Sequence, residues 1–201
     1  MVVSMAVKLQ RHALGVTWVE QNAMARAAHA LVDGGRVWLI DPYEDVEALA
    51  AVAELGTPAG VLQLLNRHNR DCEAIAQRLG VPLSRLPVDM AGTPFEAIAM
   101  ISNVAWREVA LWWAEQRALI VAEAVGTGPA FALGRRAGVH PMLRLTPPRK
   151  QLSPFQPECL FVGHGEAIES DADAALREAL TQSRRDLPRL VVSVPKLLRG
   201  A

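Results

Sequence analysis

Short apolar runs of strand length alternate with polar turns through the first half of the chain, beginning at Val16 to Glu20 and Ala27 to Val32. Asp33-Gly34-Gly35 separates the second run from Val37 to Ile40, which predicts a hairpin, and Asp41-Pro42 ends the strand that follows it. Val46, Leu49, Ala50 and Ala53 recur at helical spacing over residues 44–54, and Gly56 supplies the stop. Gly60 to Leu65 is again of strand length. Asp71 then caps an expected helix from Cys72 to Leu79, built on Ala74, Ile75 and Leu79 and closed by Gly80.

In the second half, Val81 to Val88 contains two prolines and predicts an edge or irregular strand. Strands follow at Ala97 to Ser102, Val109 to Trp113 and Ala118 to Ala124, with a turn at Glu115-Gln116-Arg117. Residues 126–150 carry eight Gly and Pro residues. That density predicts a long loop with little regular structure, of the kind that serves as a lid or a partner-binding arm. Cys159 to Val162 reads as a strand and Asp171 to Arg184 as a helix on Ala174, Ala175, Leu176 and Leu180. Leu190 to Val194 reads as a final strand or a docking tail. No repeat, low-complexity tract or linker divides the sequence, so one α+β domain over residues 1–201 is expected.

Composition narrows the functional classes. Hydrophobic residues make up 51% of the chain, enough for a large core. Lys plus Arg and Asp plus Glu both number 21, so no chain-wide field draws the protein to nucleic acid or membrane, and neither is an expected partner. The longest apolar candidate, residues 105–125, is interrupted by Arg107, Glu108, Glu115, Gln116 and Arg117 and falls short of a span of about 20 apolar residues. Two cysteines, Cys72 and Cys159, are too few for a disulfide framework; together with an N-terminus unlike a signal peptide they point to the cytoplasm. The Trp and Leu content leaves a homodimer open.

The candidate chemistry sits in "LLNRHNRDC", Leu64 to Cys72, where an apolar run ends in cations and metal-ligand types. Glu123 ends a second expected strand and His164 follows a third. Strand ends opening toward one edge can converge on a site held rigidly from behind. His12, His29 and His140 are isolated in sequence, although His140 lies in the suspected lid. Trp112-Trp113 reads as one core and one interface residue. The glycine-rich stretch 126–134 lacks the Lys-Ser/Thr of a phosphate loop, and no G-x-S-x-G elbow occurs.

Several segments, taken in order, resemble the metallo-β-lactamase-fold superfamily over nearly the whole chain. They are "GGRVWLIDP" (34–42), "VLQLLNR" before the ligand loop, "ALIVAEAVG" (118–126) and "LFVGHGE" (160–166). The resemblance implies a four-layered αββα sandwich and metal-dependent hydrolysis. The family's H-x-H-x-D-H signature falls on Arg67, His68, Asn69, Arg70, Asp71 and Cys72. Arg67 and Asn69 therefore stand where two histidines would hold a first metal, while His68 falls on a spacer position and is expected to point elsewhere. The resemblance leaves Asp71, Cys72, Glu123 and His164 as ligands of one zinc or iron ion, with Asp71 and His164 catalytic. Arg67, His68, Asn69, Arg70 and His140 are then the expected contacts to an anionic ester, thioester, amide or phosphoester.

A guanidinium donates no lone pair and opposes a cation, so a metal-free protein with Arg67 paired to Asp71 or Glu123 is favoured over a bound ion. On that reading the fold serves as a non-catalytic ligand-binding or scaffold protein. A third reading makes Cys72 a nucleophile with His164 as its base.

Overall fold

Residues 6–190 are described by the structure, a computed structural model. Its first sheet has six strands in chain order: β1 (Val7–His12), β2 (Gly15–Glu20), β3 (Ala27–Asp33), β4 (Arg36–Ile40), β5 (Thr57–Gln63) and β6 (Leu83–Arg85). The first four are antiparallel neighbours and the last two join in parallel. Parallel pairing needs a crossover. Helices α1 (Val46–Ala53) and α2 (Cys72–Leu79) supply the two crossovers. Asp45 caps α1 by accepting Ala48 N at 2.8 Å, and Gly80 ends α2 in the left-handed conformation. Gly34 and Gly35, both at positive φ, make the turn between β3 and β4.

The second sheet contains β7 (Glu96–Ser102), β8 (Arg107–Trp113), β9 (Ala118–Val121) and β12 (Cys159–Val162), in the order β12-β9-β8-β7. Between β9 and β12 the chain forms the short ribbon β10 (Val125–Gly126) with β11 (Gly138–Val139), the single turns α3 (Pro129–Ala132) and α4 (Arg149–Leu152), and a 3₁₀ turn over Pro141–Leu143. Helix α5 (Ala172–Gln182) follows β12.

Alternation along the strands sets the layers. In β4, Val37 and Leu39 join Ala48, Val52, Ile75 and Ala76 of α1 and α2, whereas Trp38 and Ile40 face Leu111, Trp113 and Ile120 of the other sheet. In β9 and β12, Ile120 and Phe161 point into that same inter-sheet core, while Leu119, Val121, Leu160 and Val162 pack on Ala175, Leu176 and Ala179 of α5. Three apolar clusters thus separate four layers, helix, sheet, sheet and helix.

The elements expected from the sequence appear with small shifts at their ends, and the prolines of residues 81–88 belong with a three-residue edge strand. Strand β1 is an addition: its alternation is half-exposed and reads weakly. Residues 126–150 differ from the expected open loop, because Ala137 and Val139 are buried against the α5 side and Arg144 is fully enclosed. Gly and Pro break long elements there without preventing burial. Trp113 is core, and Trp112 packs on Phe155 with ring centroids 5.1 Å apart. The expected strand at 190–194 lies outside the described residues, apart from Leu190 in a helical turn. No helix among the described residues is long and apolar enough to cross a membrane.

Trp113 is 2% exposed and packs edge-on against Phe95 at 5.5 Å. Replacing it with Ala should lower the unfolding free energy by about 3–5 kcal/mol in urea titrations, whereas Val104→Ala, at a fully exposed position, should change it by less than about 0.5 kcal/mol.

Candidate functional site

Parallel strands end together, and this register builds the site. Val121 of β9 pairs with Val162 of β12, so Glu123 and His164 each leave the sheet two residues beyond that pair. On the facing sheet Ile40 of β4 pairs with Leu62 of β5, which brings Asp41 beside the start of the 64–72 loop. The sheets touch at this end: Val109 N donates to Leu64 O at 2.9 Å, and Ala27 N donates to Gly163 O at 2.9 Å.

Asp41 is 2% exposed and adopts a φ of +45°. Its Oδ1 accepts Leu64 N at 2.8 Å, and its Oδ2 pairs with His68 Nδ1 at 2.8 Å. With the proton on Nδ1, His68 keeps the lone pair of Nε2 on the ring edge away from Asp41. His164 is arranged in the same way: Nδ1 donates to Met24 O at 2.8 Å, and buried Nε2 has no hydrogen-bond partner. Glu123 Oε1 lies 3.7 Å from His164 Nε2. One donor atom each from His68, Glu123 and His164 falls within 4.8 Å of the others. Gly163 leaves room for this approach, since a Cβ there would lie 2.1 Å from Ala122 O and 2.9 Å from His68 Cε1.

Two guanidinium groups close the cluster. Arg67 donates to Glu123 Oε2 and stacks on Trp106, its central carbon 4.6 Å from the ring centroid. Arg70 is tied to Ala27 O at 2.6 Å, Asp41 O at 2.7 Å and Gly163 O at 3.3 Å, and its Nη2 lies 3.5 Å from His68 Nε2. Burial alone would push the Glu123 carboxyl up; the nearby His164 ring and the Arg67 guanidinium outweigh it and hold the pKa at about 2. Beneath Glu123, the buried Glu108 accepts Glu123 N and Ala124 N at 2.9 Å and Trp106 Nε1 at 2.9 Å. Burial pushes its pKa up to about 7 despite those bonds.

The structure brings Glu123 and His164 together and adds His68, which the expected register had turned away. Asp71 and Cys72 are not part of this cluster. Asp71 Oδ2 accepts Glu44 N at 2.8 Å and makes no capping bond to α2. Cys72 is 1% exposed in the core under α2, and its thiol faces Pro42 O and His68 O. Burial pushes that thiol up to about 12, and its contacts do not include His164, which removes the basis for a Cys72 nucleophile. Asn69 Oδ1 accepts Gln63 Nε2 at 3.1 Å. His140 packs edge-on against Trp106 and Phe131, with centroids 4.7 and 5.4 Å away, and its Nδ1 accepts Met142 N. Glu108, Asp41 and Trp106 carried no sequence signal for a site beyond the Asp that ends a strand.

The donor set fits one ion and not two. Arg67 and Asn69 are paired with Glu123 and Gln63, and Asp71 and Cys72 are engaged with Glu44 N and with main-chain carbonyls. His68, Glu123 and His164 form a His-Glu-His set with a buried, unpartnered nitrogen at its centre.

No family model matches this chain, and no curated protein matches it in sequence. Solved structures do. DIM-1 metallo-β-lactamase exposed to ceftazidime superposes with a TM-score of 0.60 at 11% identity, covering 90% of this chain and 99% of that one. A metallo-β-lactamase from Pontibacter korlensis gives 0.58 at 13% identity over 89% and 99%, and VMB-1 gives 0.57 at 8% over 90% and 97%. The chain has the metallo-β-lactamase fold, an αββα sandwich of mixed α+β class. At these identities the likeness speaks for the fold alone.

Burial lowers four histidines: His29 is pushed down to about 3 and His140 to about 4, and His12 and His68 are also lowered. The unfolded chain, with histidines near 6.5, binds more protons than the folded one between pH 4 and 6.5, so acidification through that window removes stability. Glu108 acts oppositely, because its folded pKa lies above the ordinary 4.5. The urea midpoint should therefore fall from about pH 7 to pH 5, and fall more steeply in Glu108→Gln.

Proposed function

We propose that this chain is a hydrolase-like protein with a single metal position, formed by His68, Glu123 and His164, acting on an anionic ester, thioester, amide or phosphoester. The observation that carries the reading is His164 Nε2, buried without a partner and facing two further donors. Two imidazoles and a carboxylate suit zinc or iron, and three protein donors leave one position open. When bound, such an ion supplies Lewis-acid activation of water.

The remaining roles belong to the chain itself. Asp41 and Met24 O fix the two imidazoles with Nε2 presented inward. Glu108 holds the Glu123 main chain and the indole on which Arg67 rests. Arg67, with 42% of its side chain exposed, neutralises Glu123 in the ion-free protein; released, its planar fork suits a carboxylate or phosphate of a substrate.

A second reading rests on the same two arginines. Arg67 on Glu123 and Arg70 beside His68 already balance the carboxylates, which favours a metal-free binding protein. Zinc titration by calorimetry separates the two. The single-ion reading predicts about one weakly held zinc per chain, abolished in His164→Ala and tightened at least about tenfold in Arg67→His, which exchanges a repelling cation for a donor. Absence of zinc binding in both the wild type and Arg67→His would leave the metal-free reading.

A further inference from the structure

The zero net charge of the whole chain conceals a strong asymmetry. Residues 134–157 contain five Lys and Arg and no acid, and residues 177–190 contain four against two acids. These stretches pack on one another. Arg149 donates to Leu180 O at the end of α5 at 2.9 Å, and Arg184, just past α5, donates back to Leu145 O at 3.0 Å. Both acids, Glu178 and Asp186, are taken up by Arg135. Arg149 and Arg184 therefore spend their hydrogen bonds on main-chain carbonyls and, among the described residues, have no ion-pair partner. Neighbouring Lys150 and Arg185 are exposed and form no ion pair among the described residues.

Exposed apolar side chains lie in the same stretch as these cations. Met142 is 75% exposed and Leu145 is 62% exposed, and the carbonyl of Leu145 is the group Arg184 holds. Exposed aliphatic groups beside uncompensated cations match a surface with anionic headgroups above hydrocarbon. None of the six large apolar residues exposed among the described residues is aromatic, so the face offers no base-stacking platform of the kind single-stranded nucleic acid uses.

We propose that the face formed by Arg149, Lys150, Arg184 and Arg185 around Met142 and Leu145 docks the protein on an anionic lipid bilayer. Cations supply the long-range attraction, and the two aliphatic side chains enter the headgroup boundary. This inference is independent of whether the His-Glu-His cluster binds metal.

The test is co-sedimentation of the full chain with phosphatidylcholine vesicles, with and without about 30% phosphatidylserine, at roughly 0.1 and 0.5 M salt. Binding is expected to the anionic vesicles only and to be lost at high salt. Lys150→Gln and Arg185→Gln, at exposed side chains that form no ion pair among the described residues, should each weaken it about fivefold, and Leu145→Asp should weaken it further. Circular dichroism confirms that each variant is folded. No binding to anionic vesicles, binding unchanged by both Gln substitutions, or salt-sensitive binding to duplex DNA without vesicle binding would each overturn the proposal.

Discussion

A buried carboxyl group at the end of β4 organises this end of the molecule. Asp41 cannot be left unsatisfied in the interior without a penalty of several kcal/mol. Its two oxygens draw in partners 23 and 27 residues away, Leu64 N and the His68 ring, while its carbonyl anchors Arg70. Through Arg70 the same point reaches Ala27 O at the start of β3 and Gly163 O after β12. One residue thus ties four strand ends from two sheets and fixes which nitrogen of His68 faces the cluster.

The site that results is a contest between cations. His68, Glu123 and His164 converge as ligands do, with their outer nitrogens held by a carboxylate and a carbonyl. Arg67 and Arg70 supply fixed positive charge at the same place, so the ion-free protein is electrostatically balanced without metal. The two guanidiniums differ in how firmly they are held. Arg70 is tied to three carbonyls, whereas Arg67 has one carboxylate and an aromatic face and is partly in solvent. Arg67 is the group that yields if an ion or an anion is to enter.

Much of the architecture was legible because it depends on local rules. The Asp33-Gly34-Gly35 turn, the helix ending at Gly80, and the strand Cys159–Val162 appear where turn chemistry and apolar spacing put them. Convergence of Glu123 and His164 followed from strand ends in parallel register. The place of His68 did not follow, because Arg70 takes a positive φ in the turn and the pattern transferred by spacing does not hold through such a bend. Asp71 and Cys72 went to Glu44 N and to the core for the same reason. Glu108 was silent in the sequence, since its partners are main-chain amides 15 and 16 residues on. The basic face was hidden by a chain-wide balance that averages two opposite halves.

The most direct measurement is the anomalous X-ray signal at the zinc edge from crystals of the wild-type protein soaked in zinc. A metal position at the cluster predicts one peak bounded by His68, Glu123 and His164, with the Arg67 side chain moved off Glu123. A map without a peak there, in which Arg67 still holds Glu123, would contradict a metal position at this site.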